Sequence, residues 1–454
     1  MRTEQKQIEE IRASFKEMHS KEDLLRLLNE AKLVIYGEKA VPFEIKQLTW
    51  YANPKSALKK YRKFTIRKKS GGKRIINAPV KGLKQLQRVF AFVLQCVFEP
   101  HKAATGFVWN KSIVDNAKLH EGSRYVFNID LKDFFPSIDQ ARVWKCLQLK
   151  PFNLKSELIS FKEFKKILPG NENSEENPAL KGLKIGFREK IIKTKDGVKK
   201  HLYPFPVLDD TNDRSKLANI IAAVCCTEME VERMNENGEW ITLRKNVLPQ
   251  GAPTSPVFSN IICQRLDYLL SAVAKRFGLK YSRYADDITF SSMHNVYQPE
   301  SDFFNEIQRI IGDQGFHIKE SKTRLQKEGY RQEVTGLLVN EKVNVQKRYI
   351  KQLRMWIYYW ENYGYEKAES LFRQDYVADK GHTKKGLPNM LNVLKGKLDY
   401  LKMVKGEDNT LYLKLRERVD RLFGNIDPVN KILDVWENLG IDMAMDLYFN
   451  ENTE

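Results

Sequence analysis

The chain has 454 residues, of which 42% are apolar and 11% aromatic, so it is long enough to fill the cores of two or three domains. Lysine and arginine number 77 against 58 acidic residues, a formal charge of +19, which favours a nucleic-acid partner over an anionic membrane. No apolar run reaches the length of a spanning helix, and the N-terminal stretch MRTEQKQIEEIRASFKEM is charged throughout. We therefore expect no signal peptide, no membrane anchor and a cytoplasmic location.

The chain begins with a pattern of helices, followed by a basic hairpin and a short buried strand. Residues 1–34 have helical periodicity, and Ser20 opens the second helix with acidic residues in its first turn. Alternating residues around a glycine pair predict a densely basic hairpin over 64–79, and apolar periodicity predicts a helix over 80–98. The stretch YVFNID, 125–130, predicts a buried strand that ends on an aspartate.

The composition changes in the middle of the chain, where a polar, loop-like segment interrupts the pattern. We assign about 151–213 to an insertion. It contains the second basic hairpin of the chain, which is predicted to turn at Asp196-Gly197. That hairpin could clamp RNA, dock a partner or form a solvated surface. Helical signals resume over 216–232, and the pattern is again helical from about residue 345 to the end.

The cysteines indicate a reducing environment. They have no C-x-x-C spacing and lie in apolar helical contexts, which is typical of reduced core thiols and not of zinc ligands or disulfides. We therefore expect no structural metal. The five residues are Cys96, Cys146, Cys225, Cys226 and Cys263.

Three aspartates are placed so that they could meet at one edge of a sheet. Asp130 ends the strand 125–130, and Asp286 and Asp287 occupy the turn of a hairpin formed by KYSRYA and DITFSS. Clustered carboxylates repel one another unless they are protonated or share metal ions, and two hard divalent cations suit phosphoryl transfer. An aspartate pair in a turn also serves turn geometry and solvation; the strand, helix and hairpin order favours the metal site.

The loop LPQGAPTSP precedes an apolar helix that ends at Gly278. Ser255 is the predicted N-cap, with Pro256 at the first helical position. Gly251, after Gln250, would let the backbone approach a base or sugar closely. The loop is either structural or part of a nucleotide site, and the nearby carboxylates favour the second reading.

Three motifs in this order, NIDLKDFFPSI (128–138), LPQGAPTSP (248–256) and YADD (284–287), resemble the palm motifs of reverse transcriptases. The resemblance spans roughly residues 45 to 420. It implies an α+β, right-hand polymerase fold with fingers, a palm built on a split βαβ sheet, and an α-helical thumb. The implied segments are N-terminal helices and fingers (1–125), palm with the insertion (126–344), thumb (345–424) and a C-terminal helical tail (425–454).

The resemblance also implies roles for individual residues. It makes Asp130, Asp286 and Asp287 the catalytic ligands of two Mg²⁺ ions, with Mn²⁺ as a possible substitute. Phe135 takes the position of an aromatic ring that excludes a ribose 2′-hydroxyl, so deoxynucleotides are the implied substrate. The remaining candidates for nucleotide binding are Lys69, Lys73 and Arg74 in the basic hairpin, Gln250, and Lys322 in GFHIKESKT, which would assist pyrophosphate departure.

Two shorter motifs, NAKLH and VTG, resemble the pair that marks retron reverse transcriptases. Their residues are Asn116, His120, Val334, Thr335 and Gly336. The resemblance implies copying of a structured non-coding RNA from the 2′-hydroxyl of a guanosine in that RNA. The product would be a branched RNA–DNA molecule (msDNA), made in defence against phage alongside a separate effector protein.

Three alternatives stay open at this point. A group II intron-like or other bacterial reverse transcriptase would share the palm but extend an ordinary 3′-hydroxyl. A template-dependent RNA polymerase would accept ribonucleotides, which Phe135 argues against. A non-catalytic RNA-binding scaffold would retain the motifs as remnants, and the intact carboxylates argue against it.

Overall fold

The structure is a computed structural model. It describes residues 5–54, 60–67, 72–155, 183–194, 197–208, 214–380 and 388–424, residue 386, and separate residues between 433 and 448; for 183–208 it describes the backbone alone.

The helices and strands follow in chain order. The helices are α1 (Gln5–Glu17), α2 (Lys21–Tyr36), α3 (Ile45–Ala52), α4 (Lys81–Val97), α5 (Ile113–Lys118), α6 (Gln140–Leu147), α7 (Ser215–Cys225), α8 (Ser255–Arg276), α9 (Asp302–Asp313), α10 (Lys347–Tyr363), α11 (Tyr365–Lys380), α12 (Met390–Lys405) and α13 (Thr410–Gly424). The strands are β1 (Tyr61–Arg67), β2 (Lys73–Pro79), β3 (Tyr125–Asp130), β4 (Leu183–Thr194), β5 (Gly197–Leu208), β6 (Thr227–Met234), β7 (Trp240–Val247), β8 (Lys280–Tyr284), β9 (Asp287–Ser292), β10 (Arg324–Lys327), β11 (Glu333–Val334) and β12 (Leu337–Leu338). Within the described part, each helix is too short or too polar to cross a bilayer.

Local sequence signals account for the elements before the central sheet. The Ser20 hydroxyl accepts a hydrogen bond from the Asp23 amide at 3.1 Å, and the Asp23 carboxylate accepts one from the Ser20 amide at 3.0 Å. This reciprocal capping box fixes the start of α2. The predicted basic hairpin is confirmed as the antiparallel pair β1–β2, and the predicted helix after it is α4.

A four-stranded antiparallel sheet lies at the centre, in the order β10-β3-β9-β8. Alternate side chains point to opposite faces of a strand. On one face, Phe127 and Phe290 contact Phe303 of α9, with ring centroids 6.5 and 5.1 Å apart. The other face carries polar residues such as Asn128 and Thr289, whose side chains are hydrogen-bonded at 3.0 Å. The sheet therefore has one face for the core and one that can serve a polar site.

Two hydrophobic cores organise the chain. The larger joins α1, α2 and α4 to the central sheet and α8, so the predicted segments 1–125 and 126–344 share it. The second joins α5 to the β11–β12 hairpin and the C-terminal helices, through residues such as Val114, Val334 and Leu353. Helix α5 therefore links the region of the central sheet to the predicted thumb.

The structure departs from the predicted helix over 216–232. Helix α7 ends at Cys225, and residues 227–247 form the β6–β7 hairpin. In TEMEVE, glutamate alternates with threonine, methionine and valine, which is the period of a strand and not of a helix. The prediction carried the apolar run of α7 too far along the chain.

Two predicted boundaries are wrong by one residue. Thr254, and not Ser255, is the N-cap of α8. In the predicted insertion, Gly197, predicted as a turn residue, pairs with Thr194 and is the first residue of β5; residues 195 and 196 lie outside the described residues. Most of the predicted tail, 425–454, also lies outside them.

Candidate active site

Strand pairing brings the three aspartates together. Asp130 at the end of β3 is directly opposite Asp287, the first residue of β9. Tyr284 pairs with Asp287 across the β8–β9 hairpin, so its two-residue loop is Ala285-Asp286. Ala285 has a φ of 57°, as tight two-residue hairpins require. The YADD sequence therefore places Asp286 at the tip of the hairpin, beside Asp130.

The carboxylates perturb one another. Burial and the charge of nearby Asp130 raise the pKa of Asp286. Loss of hydration, followed by the charges of Asp286 and Asp130, raises the pKa of Asp287 to about 6. Burial is the largest cause of both shifts, and repulsion between the carboxylates adds to it.

Lys322 compensates part of this negative charge. Its Nζ lies 2.5 Å from Oδ2 of Asp130. The charge of Lys322 also opposes the rise in pKa at both Asp286 and Asp287. Lys322 lies in a short 3₁₀ turn, Glu320–Lys322, that follows α9. Its ammonium group contacts the aspartate cluster directly.

The donor set suits a hard divalent cation, which carboxylate oxygens bind. Within the described part of the chain, no three His, Cys, Asp or Glu side chains already have the arrangement of a metal site. Asp130 is held by Lys322 instead. The oxygen ligands of the three carboxylates fit a divalent metal by their chemistry. An ion bound at Asp130 would compete with the Lys322 ammonium for the same carboxylate.

The aspartates face a cleft of about 590 Å³, within the range of small-molecule sites. The residues predicted for the site that line it are Arg74, Asp130, Asp286, Asp287, Lys322, Thr335 and Gly336. Arg74 reaches the cleft from the basic hairpin and its charge acts on Asp286. Lys73 is exposed and does not line the cleft, and Lys69 lies outside the described residues.

Phe135 belongs to an aromatic cluster beside the cleft. Its ring lies 5.4 Å from that of Phe134 and 6.3 Å from that of Phe107, which is also 6.3 Å from Tyr284 of the YADD segment. Phe107 was not predicted for the site. It has a φ of 62°, which is uncommon for a bulky residue, so the surrounding structure holds its backbone in a strained conformation. The sequence offered only the preceding glycine as a signal.

The loop before α8 packs on the basic hairpin. A side chain at Gly251, whose φ is 118°, would bring Cβ within 2.8 Å of Ile76 and 3.0 Å of the Asn77 carbonyl oxygen. The Gln250 carbonyl accepts a hydrogen bond from the Asn77 amide at 2.9 Å. Gly251 therefore lies close to strand β2, and its approach to a base or sugar stays a prediction.

The two shorter motifs meet in space but differ in exposure. Thr335 and Gly336, both with positive φ, form the turn of the β11–β12 hairpin at the rim of the cleft, after buried Val334. Asn116 and His120 are buried, with 1% and 0% of their surface exposed. Thr335 and Gly336 therefore line the cleft, whereas Asn116 and His120 are shielded from nucleic acid; in NAKLH the exposed residues are Lys118 and Leu119.

A buried ion pair behind the hairpin was missed from the sequence. Nε and Nη2 of Arg283 each lie 2.7 Å from an oxygen of Asp267 on α8, and Nη1 donates to the Ala285 carbonyl at 3.1 Å. Both side chains are fully buried. The arginine next to YADD was the only available signal, since its partner is sixteen residues earlier. The pair ties the turn that carries Asp286 to the helix behind it.

Comparison with known proteins agrees with this geometry. The sequence model of the family described as "Reverse transcriptase (RNA-dependent DNA polymerase)" matches residues 66–188 and 210–349, more than half of the chain. The gap between the two matched ranges falls inside the predicted insertion. The α+β class and right-hand polymerase fold predicted from the motifs are thereby confirmed.

Two relatives from Myxococcus xanthus are retron enzymes. The chain is 32% identical over 317 residues to the Retron Mx162 reverse transcriptase, covering 66% of this chain and 52% of that protein. It is 29% identical over 363 residues to the Retron Mx65 reverse transcriptase, covering 78% of this chain and 64% of that protein. The chain thus spans between half and two thirds of the length of these relatives.

Solved structures add little. The structure of apo telomerase from Candida tropicalis aligns at 13% identity and a TM-score of 0.42, covering 86% of this chain and 61% of that one. The family match and the retron relatives are sufficient: the chain belongs to the reverse transcriptase family, and its resemblance to retron-type reverse transcriptases is confirmed.

Proposed function

We propose that the chain is an RNA-directed DNA polymerase that carries out its chemistry in the cleft around Asp130, Asp286 and Asp287. The observation that carries the proposal is the meeting of these carboxylates with Lys322 and Arg74 at the edge of one sheet. A scaffold that only bound RNA would have no need of clustered carboxylates with raised pKa values.

Family membership implies dependence on a divalent metal, and we propose two Mg²⁺ ions, replaceable by Mn²⁺, held by the three aspartates. When bound, they would neutralise phosphate charge and favour ionisation of the primer hydroxyl. Arg74 would bind the triphosphate of the incoming deoxynucleotide, with Lys73 and Lys69 of the same hairpin as further candidates. Lys322, released from Asp130, would place its positive charge on the departing pyrophosphate.

Selection of the sugar is assigned to Phe135. Its ring is fixed between Phe134 and Phe107, so it can exclude a 2′-hydroxyl by steric contact and without a polar partner. Gln250 remains a candidate for nucleotide contact because its backbone carbonyl, and not its side chain, is used to hold strand β2. Segments 1–125, 126–344, 345–424 and 425–454 keep their proposed identities as fingers, palm, thumb and tail.

We further propose the retron form of this activity. The enzyme would copy part of a structured non-coding RNA from a 2′-hydroxyl primer, give msDNA, and act in phage defence with a separate effector protein. The similarity to two named retron reverse transcriptases supports this, as does the presence of VTG at the cleft rim. Five free thiols support a cytoplasmic location, because such thiols persist in reducing compartments.

The first experiment replaces Asp286 by Asn. Asp286→Asn should abolish DNA synthesis on an RNA template while RNA binding is retained, because the substitution removes one charge from the cluster and little volume. Asp313→Asn is the matched control, since Asp313 is exposed and its ion pair is with Arg309 on the same helix. Synthesis by Asp286→Asn at the control rate would reject the assignment.

A second experiment separates the retron reading from ordinary priming. DNA made from the RNA that co-purifies with the protein should be joined through a 2′–5′ bond and should be released by a debranching enzyme. Products that resist debranching and begin from a 3′-hydroxyl would instead indicate a group II intron-like or other bacterial reverse transcriptase.

A further inference from the structure

His120 connects both strands of the catalytic hairpin. Its Nδ1 lies 2.8 Å from the Ser291 hydroxyl on β9, and its Nε2 lies 2.7 Å from the Ser282 hydroxyl on β8. Burial, and then the charge of Lys280, lowers the pKa of His120 to about 3, so the ring is neutral. A neutral imidazole has one donor and one acceptor, and both are used here within the protein.

The two serines share a face of the sheet with a catalytic aspartate. Ser291, Thr289 and Asp287 alternate along β9 and so point the same way. Ser282 is directly opposite Thr289 and joins that face. The polar face of the hairpin therefore runs from Asp287 to the two serines, and His120 is hydrogen-bonded to both serines.

Asn116 acts on the outer side of the same hairpin. Its Oδ1 accepts a hydrogen bond from the Thr105 hydroxyl at 2.7 Å. The Thr105 amide donates to the Arg283 carbonyl at 2.9 Å, and the Arg283 amide donates to the Ala103 carbonyl at 2.9 Å. Asn116 thus holds the segment that extends the sheet beyond β8, next to the strand that leads into Ala285-Asp286.

The other side of α5 contacts the cleft rim. The Thr335 hydroxyl donates to the Ile113 carbonyl at 3.3 Å, and Val114 belongs to the same hydrophobic core as Val334. One short helix is therefore bonded to the catalytic hairpin through buried polar groups and to the VTG turn through its first residues.

We infer that Asn116 and His120 are positioning residues that hold the β8–β9 hairpin, and with it Asp286 and Asp287, in register with Asp130, and that they do not contact RNA. Their effect on DNA synthesis rests on the proposed function, whereas their effect on the hairpin does not. A gap left at His120 would let the two strands shift by fractions of an ångström, and small misplacements of reacting groups are costly in rate.

The test compares His120→Ala, His120→Gln and the exposed control His19→Ala. Three quantities are measured on the full chain: amide hydrogen exchange of residues 280–292, affinity for an RNA template annealed to a DNA primer with a 3′-hydroxyl, and the rate and amplitude of single-turnover addition of one deoxynucleotide. His120→Ala should exchange faster in 280–292 and add the nucleotide on the order of 10- to 100-fold more slowly, with affinity and amplitude unchanged. His120→Gln should recover most of the rate, because the amide nitrogen can donate to one serine hydroxyl while the amide oxygen accepts from the other.

Other outcomes overturn the inference. Weaker template affinity at an unchanged rate would make His120 an RNA contact, and a reduced amplitude at an unchanged rate would make it a residue that only supports folding. Exchange in 280–292 equal to that of His19→Ala would show that His120 does not hold the hairpin. A wild-type protein that made no DNA would count against the proposed function, while the exchange measurement would still decide whether the hairpin is held.

Discussion

Acidification should destabilise the fold through His120. In the folded chain, burial and the charge of Lys280 keep the pKa of this residue at about 3, against 6.5 for an ordinary histidine. The unfolded chain therefore binds a proton as the pH falls below 6.5, while the folded chain does not. The stability contributed by neutral His120 is present above that pH and is lost progressively between 6.5 and about 3.

The size of the effect follows from the two pKa values. About pH 5 is roughly 1.5 pH units below the pKa of the unfolded chain, and at 1.36 kcal/mol per unit the free energy of unfolding is lowered there by about 2 kcal/mol, whereas at about pH 7.5 the loss is close to zero. The His120→Gln variant keeps a donor and an acceptor but has no proton to gain. Its free energy of unfolding should therefore fall by about 2 kcal/mol less than that of the wild type over this interval.

Urea unfolding of both proteins at the two pH values measures this difference, since the titration of all other groups is common to both. The exposed residue His19 gives the control: His19→Gln should follow the wild type at each pH. If wild type and His120→Gln lose stability in parallel on acidification, then His120 is protonated in the folded state or is not buried, and the reasoning fails.

Three further substitutions test other parts of the site. Phe135→Val should raise the use of ribonucleotides relative to deoxynucleotides by roughly 10- to 100-fold in kcat/KM, because the smaller side chain would leave room for the 2′-hydroxyl that Phe135 is proposed to exclude. Asp267→Asn leaves Arg283 as an uncompensated buried cation and should cost about 3–5 kcal/mol in urea unfolding, against under about 0.5 kcal/mol for the exposed control Asp313→Asn. Gly251→Ala should lower stability by about 1–3 kcal/mol and slow extension, because its φ and its contact with strand β2 exclude a side chain; a thermal midpoint equal to that of the wild type would contradict this.

The carboxylate cluster could be predicted because each part has a local signal and the order of the motifs brings the parts together. Asp130 was predicted at the end of a strand and Asp286 and Asp287 in a hairpin turn; the observed two-residue loop is Ala285-Asp286, and Asp287 is the first residue of β9. The β6–β7 hairpin was missed because the apolar run of α7 continues directly into it, and a change from period 3.6 to period 2 within a few residues is a weak signal. Strand register then set the remaining distances.

Long-range burial could not be predicted in the same way. His120 is bonded to residues 162 and 171 positions along the chain, and nothing in NAKLH specifies which hydroxyls will be near it. The pairing of Arg283 with Asp267 has the same character, as does the contact of Gly251 with strand β2. These contacts depend on how the helices pack on the sheet. Hydrophobic periodicity shows which face of a helix is buried, but not which residues of the sheet that face will contact.

The two short motifs therefore have different physical roles, although they occur together in the sequence. Asn116 and His120 have almost no exposed surface with which to contact an RNA, whereas Thr335 and Gly336 line the cleft. The Thr335 hydroxyl donates a hydrogen bond to the Ile113 carbonyl, so the VTG turn contacts α5, the helix that carries Asn116. Substitutions at Thr335 and Gly336 should then alter which primer is used, while substitutions at His120 should slow every primer alike.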